Sequence, residues 1–347
     1  MDVIVVGGGQ AGLASGYHLK KNGFNFLILE ASEEAAGSWP KYYDSLKLFS
    51  PAKYSSLPGM PFPSPGDRYP GRDEVVQYLK RYASHNKLPI AYHSQVKHIG
   101  RESGVFEVNT AAGESYRSRT IICATGSFSR PFIPHIDAQS DYLGRVIHSS
   151  EYLSPDSFTG QSVIVVGRGN SAVQIAMELS ETAETTLAVR DQVSLVPQRI
   201  LGRDLHFWLT ITGVDSFWRF GKSAANASSV IDLGNYKERL HAGHPVQKQM
   251  FTAFYPEGVV WSDGSREEAD NVIFATGFRS NLEYLRGLGG LDPNGVPVQK
   301  EGISSSVPGL YFVGLNGQRS FASATIRGVG ADAKYVVKQI GRSLKGN

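Results

Sequence analysis

The 347-residue chain contains one cysteine, Cys123. A single thiol can close neither an intrachain disulfide nor a Cys-x-x-Cys redox pair, and its place in the apolar run Ile121-Ile122-Cys123-Ala124 reads as packing. No apolar stretch approaches the roughly 18 residues a membrane-spanning helix needs. Charge of one sign is also missing: 35 Lys plus Arg against 32 Asp plus Glu leave a formal net charge of +3, with no basic run, so nucleic acid is not an expected partner. No metal is expected. Because the first apolar strand starts at Val3, there is no room for a signal peptide, and a cytoplasmic location is expected. The length exceeds one ordinary core, so two domains are the natural expectation.

What the chain does have is a glycine turn close to its start. Val3-Ile4-Val5-Val6 reads as a buried parallel strand, followed by Gly7, Gly9 and Gly12 at the G-x-G-x-x-G spacing that turns a strand into a helix. Gly7 permits the tight turn and Gly9 lets backbone approach a pyrophosphate. Gly12 lets a helix from about Gln10 to Asn22 lie close on the sheet, its N-terminal N–H groups facing the phosphates. A second strand, Phe26-Leu27-Ile28-Leu29, ends in Glu30, where a doubly wound fold places the acceptor for ribose hydroxyls.

Ala36-Gly37-Ser38-Trp39 follows, then an aromatic and proline-rich stretch from Tyr42 to Tyr69 without regular periodicity, the mark of a functional loop. Gly37 and Trp39 are placed to pack over a flavin ring, or to form a plain glycine turn with a packing tryptophan. Arg72 to Asn86 reads as a structural helix with Asp73 as N-cap. Short strands at 95–99, 105–108 and 116–119 predict a β-meander, and Thr120-Ile121-Ile122-Cys123 predicts a further core strand ending in Ala124-Thr125-Gly126. Small residues there admit close approach of a bound ligand to backbone.

The chain then repeats its opening. Ser162 to Val166 is a strand, Gly167-Arg168-Gly169-Asn170-Ser171-Ala172 is G-x-G-x-x-A, Val173 to Glu181 continues as helix, and the next strand ends in Arg190. Chance must produce strand, turn, helix and strand twice, so the pair is far more specific than either copy. Glu30 accepts from a ribose and repels a 2′-phosphate, whereas the guanidinium fork of Arg190 suits that phosphate. This assigns FAD to the first copy and NADPH to the second, with Asp191 leaving NADH open as a coenzyme. Residues 198–250 are less readable: 205–209 and 217–220 suggest an apolar helical pair and 236–240 a short helix, which fit a substrate funnel, a homodimer contact, a membrane-facing patch or core. A second Ala-Thr-Gly strand ends at Thr276 and Gly277. A strand closing on Gly314 comes next, and a helix over 322–341 then presents Ser323, Ala324 and Thr325 to the flavin.

The expected fold is therefore α/β, with two Rossmann-like doubly wound parallel-sheet domains and small β-meander additions. Residues 1–155 with 279–347 form the FAD unit, into which 156–278 is inserted as the NAD(P)H unit, with a helical insertion at about 198–250.

Over essentially the whole chain this pattern resembles the glutathione-reductase-like flavoproteins with paired dinucleotide-binding domains. Tyr142-x-Gly144-x-x-x-His148-x-x-x-Tyr152 is similar to the F-x-G-x-x-x-H-x-x-x-[Y/F] signature of flavin-containing monooxygenases, with Tyr142 in place of Phe. Its ending lacks the tryptophan of typical Baeyer–Villiger enzymes. Gly37-x-Trp39, Gly169-Asn170-Ser171-Ala172 and Tyr69-Pro70-Gly71-Arg72 also resemble the bacterial members. The resemblance implies that Gly7, Gly9, Gln10, Gly12 and Glu30 hold FAD, with Gly37 and Trp39 along it and Val96 giving backbone contacts to adenine. It implies NADPH on Gly167, Gly169, Asn170, Ser171 and Arg190, and a domain-coupling role for His148. The activity implied is transfer of one oxygen atom from O₂, through a C4a-hydroperoxyflavin, to a small organic substrate: a soft sulfur or nitrogen nucleophile, or a ketone. In Leu48-Phe49-Ser50-Pro51, the segment the resemblance sets beside the flavin, Phe49 stands where many members carry asparagine. Phe49 and Ser50 are thus the candidate catalytic residues; Phe49 leaves open a reductase or oxidase that makes peroxide, and a flavin- and nucleotide-binding redox regulator without turnover stands as a separate alternative.

Overall fold

The computed structural model describes residues 1–213 and 229–345. Two parallel sheets organise the chain. The first has seven strands in the order Gln299–Lys300, Ile303–Ser304, Leu310–Phe312, Thr120–Cys123, Val3–Val6, Phe26–Leu29, Ile90–Ala91, and is parallel from Leu310–Phe312 onward. The second has five, Val246–Gln249, Glu184–Val189, Ser162–Val166, Asn271–Phe274 and Arg145–His148, all parallel. Each opening strand is buried on both faces, as a sheet covered on both sides requires. Strand alternation then sorts the core. Val3 and Val5 face one hydrophobic cluster and Ile4 and Val6 another, while Val163 and Val165 oppose Ile164 and Val166 in the same way.

The helix Gln10–Lys21 follows the first strand, Asn170–Leu179 follows its counterpart, and Ile326–Lys345 returns to the first unit. The last helix buries Ile326, Val329, Ala333, Val336, Val337 and Ile340, a single stripe at helical spacing that packs with Leu13, Ala14 and Leu19. Each such side chain contributes about 1.5–3 kcal/mol when fully buried. The helix starts at Ile326 and not at 322, because Ala324 adopts a left-handed φ of 67° and Thr325 then caps the first turn, its Oγ1 accepting from Gly328 N at 3.2 Å.

The meander is present as Val96–Glu102, Val105–Thr110 and Ser115–Ser118, and a second antiparallel trio spans Ala253–Tyr255, Gly258–Val260 and Arg266–Glu268. Arg130–Pro131 pairs antiparallel with Phe278–Arg279, so the outgoing and returning crossings between units run side by side.

Three expectations change. The division at 155 falls too late, because Arg145–His148 is already hydrogen-bonded into the second sheet through Asn271–Phe274. The helical insertion at 198–250 is mixed: helices Leu205–Thr212 and Tyr236–His241 are joined by a hairpin of Arg199–Ile200 with Arg203–Asp204, by Ser229–Asp232 paired with Ser194–Pro197, and by Val246–Gln249, an edge strand of the parallel sheet. The 217–220 part of the expected helical pair lies outside the described residues. Finally, the helix Arg72–His85 is capped by Gly71, whose N–H donates to the Glu74 carboxylate at 3.0 Å. Asp73 lies inside the first turn and pairs with Arg72 at 2.8 Å.

Candidate functional site

Both fingerprints sit at the carboxyl ends of parallel strands, where open α/β sheets bind ligands. In the first, Gly7 has φ 106°, which an L side chain rarely adopts, and donates from N to Leu29 O at 2.8 Å. A Cβ on Gly12 would fall inside the Gly7 carbonyl, so helix and turn are in backbone contact. Gly9 lies back to back with Gly37, where an added Cβ would stand 2.8 Å from Gly9 Cα. Gly314 closes on Ala11 in the same fashion, also at 2.8 Å.

Glu30 is 6% exposed. Its Oε2 accepts from Gly8 N at 2.5 Å, and its Oε1 accepts from Ser32 N at 2.9 Å and Ser32 Oγ at 2.7 Å. These donors fix a carboxylate acceptor beside the glycine turn, with lone pairs left for ribose hydroxyls. Glu30 O also accepts from Ser94 N at 2.8 Å, which brings the start of the Val96 strand alongside. Gln10 links two further predicted residues, accepting from Trp39 Nε1 at 3.0 Å and donating to Ala324 O. The residues predicted for the first cofactor thus converge on one cradle. Thr125 stands at its floor, its hydroxyl 3.2 Å from that of the buried Tyr284, and Gly126 follows at φ 70°.

The second cradle has the same turn and a different finish. Gly167 has φ 142°, its N–H reaches Ala188 O at 3.0 Å, and a Cβ there would press on Ala275 O and Ala172. Gly169, by contrast, faces open space, with no atom of the described residues within 4 Å of an added Cβ. Next to it, Asn170 Oδ1 is buried without a hydrogen-bond partner among the described residues. An orphaned acceptor at the mouth of a glycine turn fits a bound coenzyme that supplies the missing donor. Ser171 hydrogen-bonds the hydroxyl of Tyr43, which also donates to Gln174 Oε1 at 3.0 Å. Arg190 is exposed at the strand end, and Arg168 holds Asp191 at 2.9 Å. That pairing gives the acid a cationic partner in the glycine turn itself.

The linker signature is built into the second unit. Tyr142 donates to Ala269 O at 2.7 Å, and Gly144 has no room for a side chain beside Tyr142 and Asp270. His148 is 1% exposed; Ser150 N donates to its Nδ1 at 3.1 Å, so the proton sits on Nε2 and bonds Gly277 O at 2.9 Å. Burial lowers its pKa. His148 thereby ties the linker to the second Ala-Thr-Gly turn, in which Thr276 donates to Phe132 O and Gly277 has φ 81°. Tyr152 donates to Glu178 Oε2 at 2.8 Å.

Of the flavin-side pair, Ser50 is buried with its hydroxyl 2.9 Å from that of Ser55, an internal tie of the loop. Phe49 is half-buried, and its ring stacks on that of His206 at 6.3 Å and 27°. Sequence reading missed His206 and Asp204. The available signal was an aspartate directly before an apolar helical run, which is an N-cap. The Arg168–Asp191 pair was missed as well, since the sequence does not state which neighbouring charges face each other.

Two dinucleotide cradles on two doubly wound units, joined through paired crossings, define a flavoprotein oxidoreductase. Residues 4–314 match the pyridine nucleotide-disulphide oxidoreductase family, to which the chain belongs. Disulfide chemistry in the chain's own residues does not follow from that name, because the lone Cys123 is buried and its thiol is pushed up to about 12 by burial. The chain is 37% identical to an uncharacterized CzcO-like oxidoreductase of Geobacillus kaustophilus, over 98% of both chains. It is 32% identical to indole-3-pyruvate monooxygenase YUCCA4 of Oryza sativa, over 98% of this chain and 87% of that one. A flavin-containing monooxygenase from Stenotrophomonas maltophilia superposes with a TM-score of 0.87 at 31% identity, each chain 98% covered. The chain is an FAD-dependent oxidoreductase of the flavin monooxygenase type, a class that uses a nicotinamide coenzyme, oxygen and an organic substrate. Among the described residues no helix is long and apolar enough to cross a membrane.

Proposed function

We propose that the protein is an NADPH-dependent monooxygenase that inserts one atom of O₂ into a soft sulfur or nitrogen nucleophile, or a ketone, the other atom leaving as water with electrons from NADPH. The observation that carries this reading is the contrast between the cradles: one closed around a buried carboxylate, the other open, among the described residues, beside an orphaned acceptor and an exposed arginine. FAD, when bound, supplies the redox and oxygen chemistry.

The first cradle holds that cofactor through Gly7, Gly9, Gln10, Gly12, Glu30, Gly37, Trp39, Val96, Thr125, Gly126, Gly314, Ala324 and Thr325. Gly167, Gly169, Asn170, Ser171, Ala172, Thr276 and Gly277 line the coenzyme cleft. Arg190 selects the 2′-phosphate, and Asp191 beside it is paired with Arg168.

The deciding measurement is oxygenated product per NADPH consumed, across thioethers, amines and ketones. A ratio clearly above zero supports oxygen transfer. A ratio of zero with stoichiometric peroxide supports the oxidase reading, which Phe49 favours, and failure of NADPH to bleach the flavin absorbance supports a redox regulator.

A further inference from the structure

Asp204 caps the helix Leu205–Thr212, and its Oδ1 accepts twice from His206, from the backbone N at 2.8 Å and from Nδ1 at 3.0 Å. Its other oxygen accepts from the hydroxyl of Tyr69. The two side chains are 11% and 2% exposed. Burial alone would raise the Asp204 carboxyl, but the hydrogen bonds from His206 and Tyr69 prevail and hold it below the usual carboxylate range. The imidazole so fixed lies near-parallel to two rings, Phe49 at 6.3 Å and 27°, and Tyr54 at 6.0 Å and 28°.

Tyr69, Phe49 and Tyr54 all belong to the irregular loop of the first unit, whereas Asp204 and His206 belong to the insertion of the second. Leu48, Ala52 and Leu57 of that loop pack with Leu13, Ile326 and Val329 of the two helices that meet at the first cradle. Phe49, next to Leu48, thus links a loop packed on those helices to an imidazole anchored in the coenzyme unit. Packing alone does not call for this arrangement. A phenylalanine would fill the site without the cost of burying an imidazole and a carboxylate, and a buried polar set of this kind, once satisfied, specifies one orientation.

We propose that His206 is a positioning residue: oriented by Asp204, it holds the Phe49 ring against the flavin side and couples that ring to the coenzyme-binding unit. The proposal rests on the flavin-binding reading above and not on oxygen transfer.

The test uses flavin-loaded enzyme and His206→Phe, which keeps a stacked ring but loses the Asp204 bond. Anaerobic flavin reduction by NADPH should slow on the order of tenfold, the scale on which small misplacements act, and the visible circular dichroism of bound flavin should change. Flavin content and coenzyme KM should stay close to wild type, while the melting temperature falls modestly with the lost Asp204 bond. Reduction and dichroism equal to wild type would overturn the proposal and leave His206 as packing. Should His206→Phe lose flavin, Asp204→Asn decides by the same two readouts: both altered supports it, both unchanged overturns it. Neither readout involves O₂, so an enzyme that yields only peroxide sinks the oxygenation reading without touching this one.

Discussion

The two fingerprints share a strand, a positive-φ glycine and a helix, yet one is sealed and the other left open. Around Gly9 the backbone of Gly37 leaves an added Cβ 3.4 Å away, and Glu30 is held by three donors. Around Gly169 there is free space, an unpartnered Asn170 Oδ1 and exposed Arg190. A sealed cradle suits a cofactor that stays, because its polar groups are ordered before binding. An open one suits a coenzyme that must arrive and leave each turnover. On the proposed reading the same sequence motif serves residence in one place and exchange in the other, and what differs is the second layer: among the described residues nothing stands over Gly169 as Gly37 stands over Gly9.

The sharpest break of this comparison is Gly12→Val. Its Cβ meets the Gly7 carbonyl inside van der Waals distance, and β-branching adds to the overlap. We expect a loss of about 3 kcal/mol or more and protein purified without flavin, read by the flavin-to-protein absorbance ratio and the melting curve. A variant that keeps full flavin would show that the first turn is not the tight element described.

The next effect is acid sensitivity, which should belong to the first unit's helix. His18 is 8% exposed between the opening and final helices, and burial lowers its pKa to about 4 despite a hydrogen bond to the Gly330 backbone. The unfolded chain takes a proton below about 6.5, while the folded one resists to about 4. Stability is thus full above 6.5 and falls as pH drops from there to 4, by roughly 3 kcal/mol at most. The counterpart helix Asn170–Leu179 carries no histidine. His18→Gln should flatten the fall in melting temperature between pH 6.5 and 4, and an unchanged slope would remove His18 as its cause.

Much of this was legible because backbone constraints leave marks in sequence. Gly7, Gly12 and Gly167 stand where only glycine fits, and the strands before them are unbroken β-formers, so both units and their order could be read directly. Contacts between distant segments leave no such mark. The stack of His206 on Phe49, the Arg168–Asp191 pair and the entry of Arg145–His148 into the second sheet depend on partners far along the chain or on which way a side chain turns. The insertion was read as helical because Leu205–Leu209 is apolar at helical spacing, while two-residue strands such as Arg203–Asp204 are too short to show any period.

The smallest effect sharpens the comparison most. If the open cradle is an exchange site for a phosphorylated coenzyme, Arg190→Ala should leave fold and flavin content alone, since the side chain is exposed and its backbone oxygen still accepts from Gln249 at 2.7 Å. A charge-assisted contact contributes about 1.5–3 kcal/mol, so the NADPH KM should rise roughly ten- to hundredfold, with kcat held and the NADH KM little moved. The charge of Asp191 also enters, because Arg168 holds it only while that surface pair persists. Raising ionic strength should therefore weaken NADPH binding in the wild type more than in Arg190→Ala. Equal changes in KM for both coenzymes would mean that Arg190 steers neither, and the assignment of the second cradle to NADPH would fall while the sealed first cradle stood.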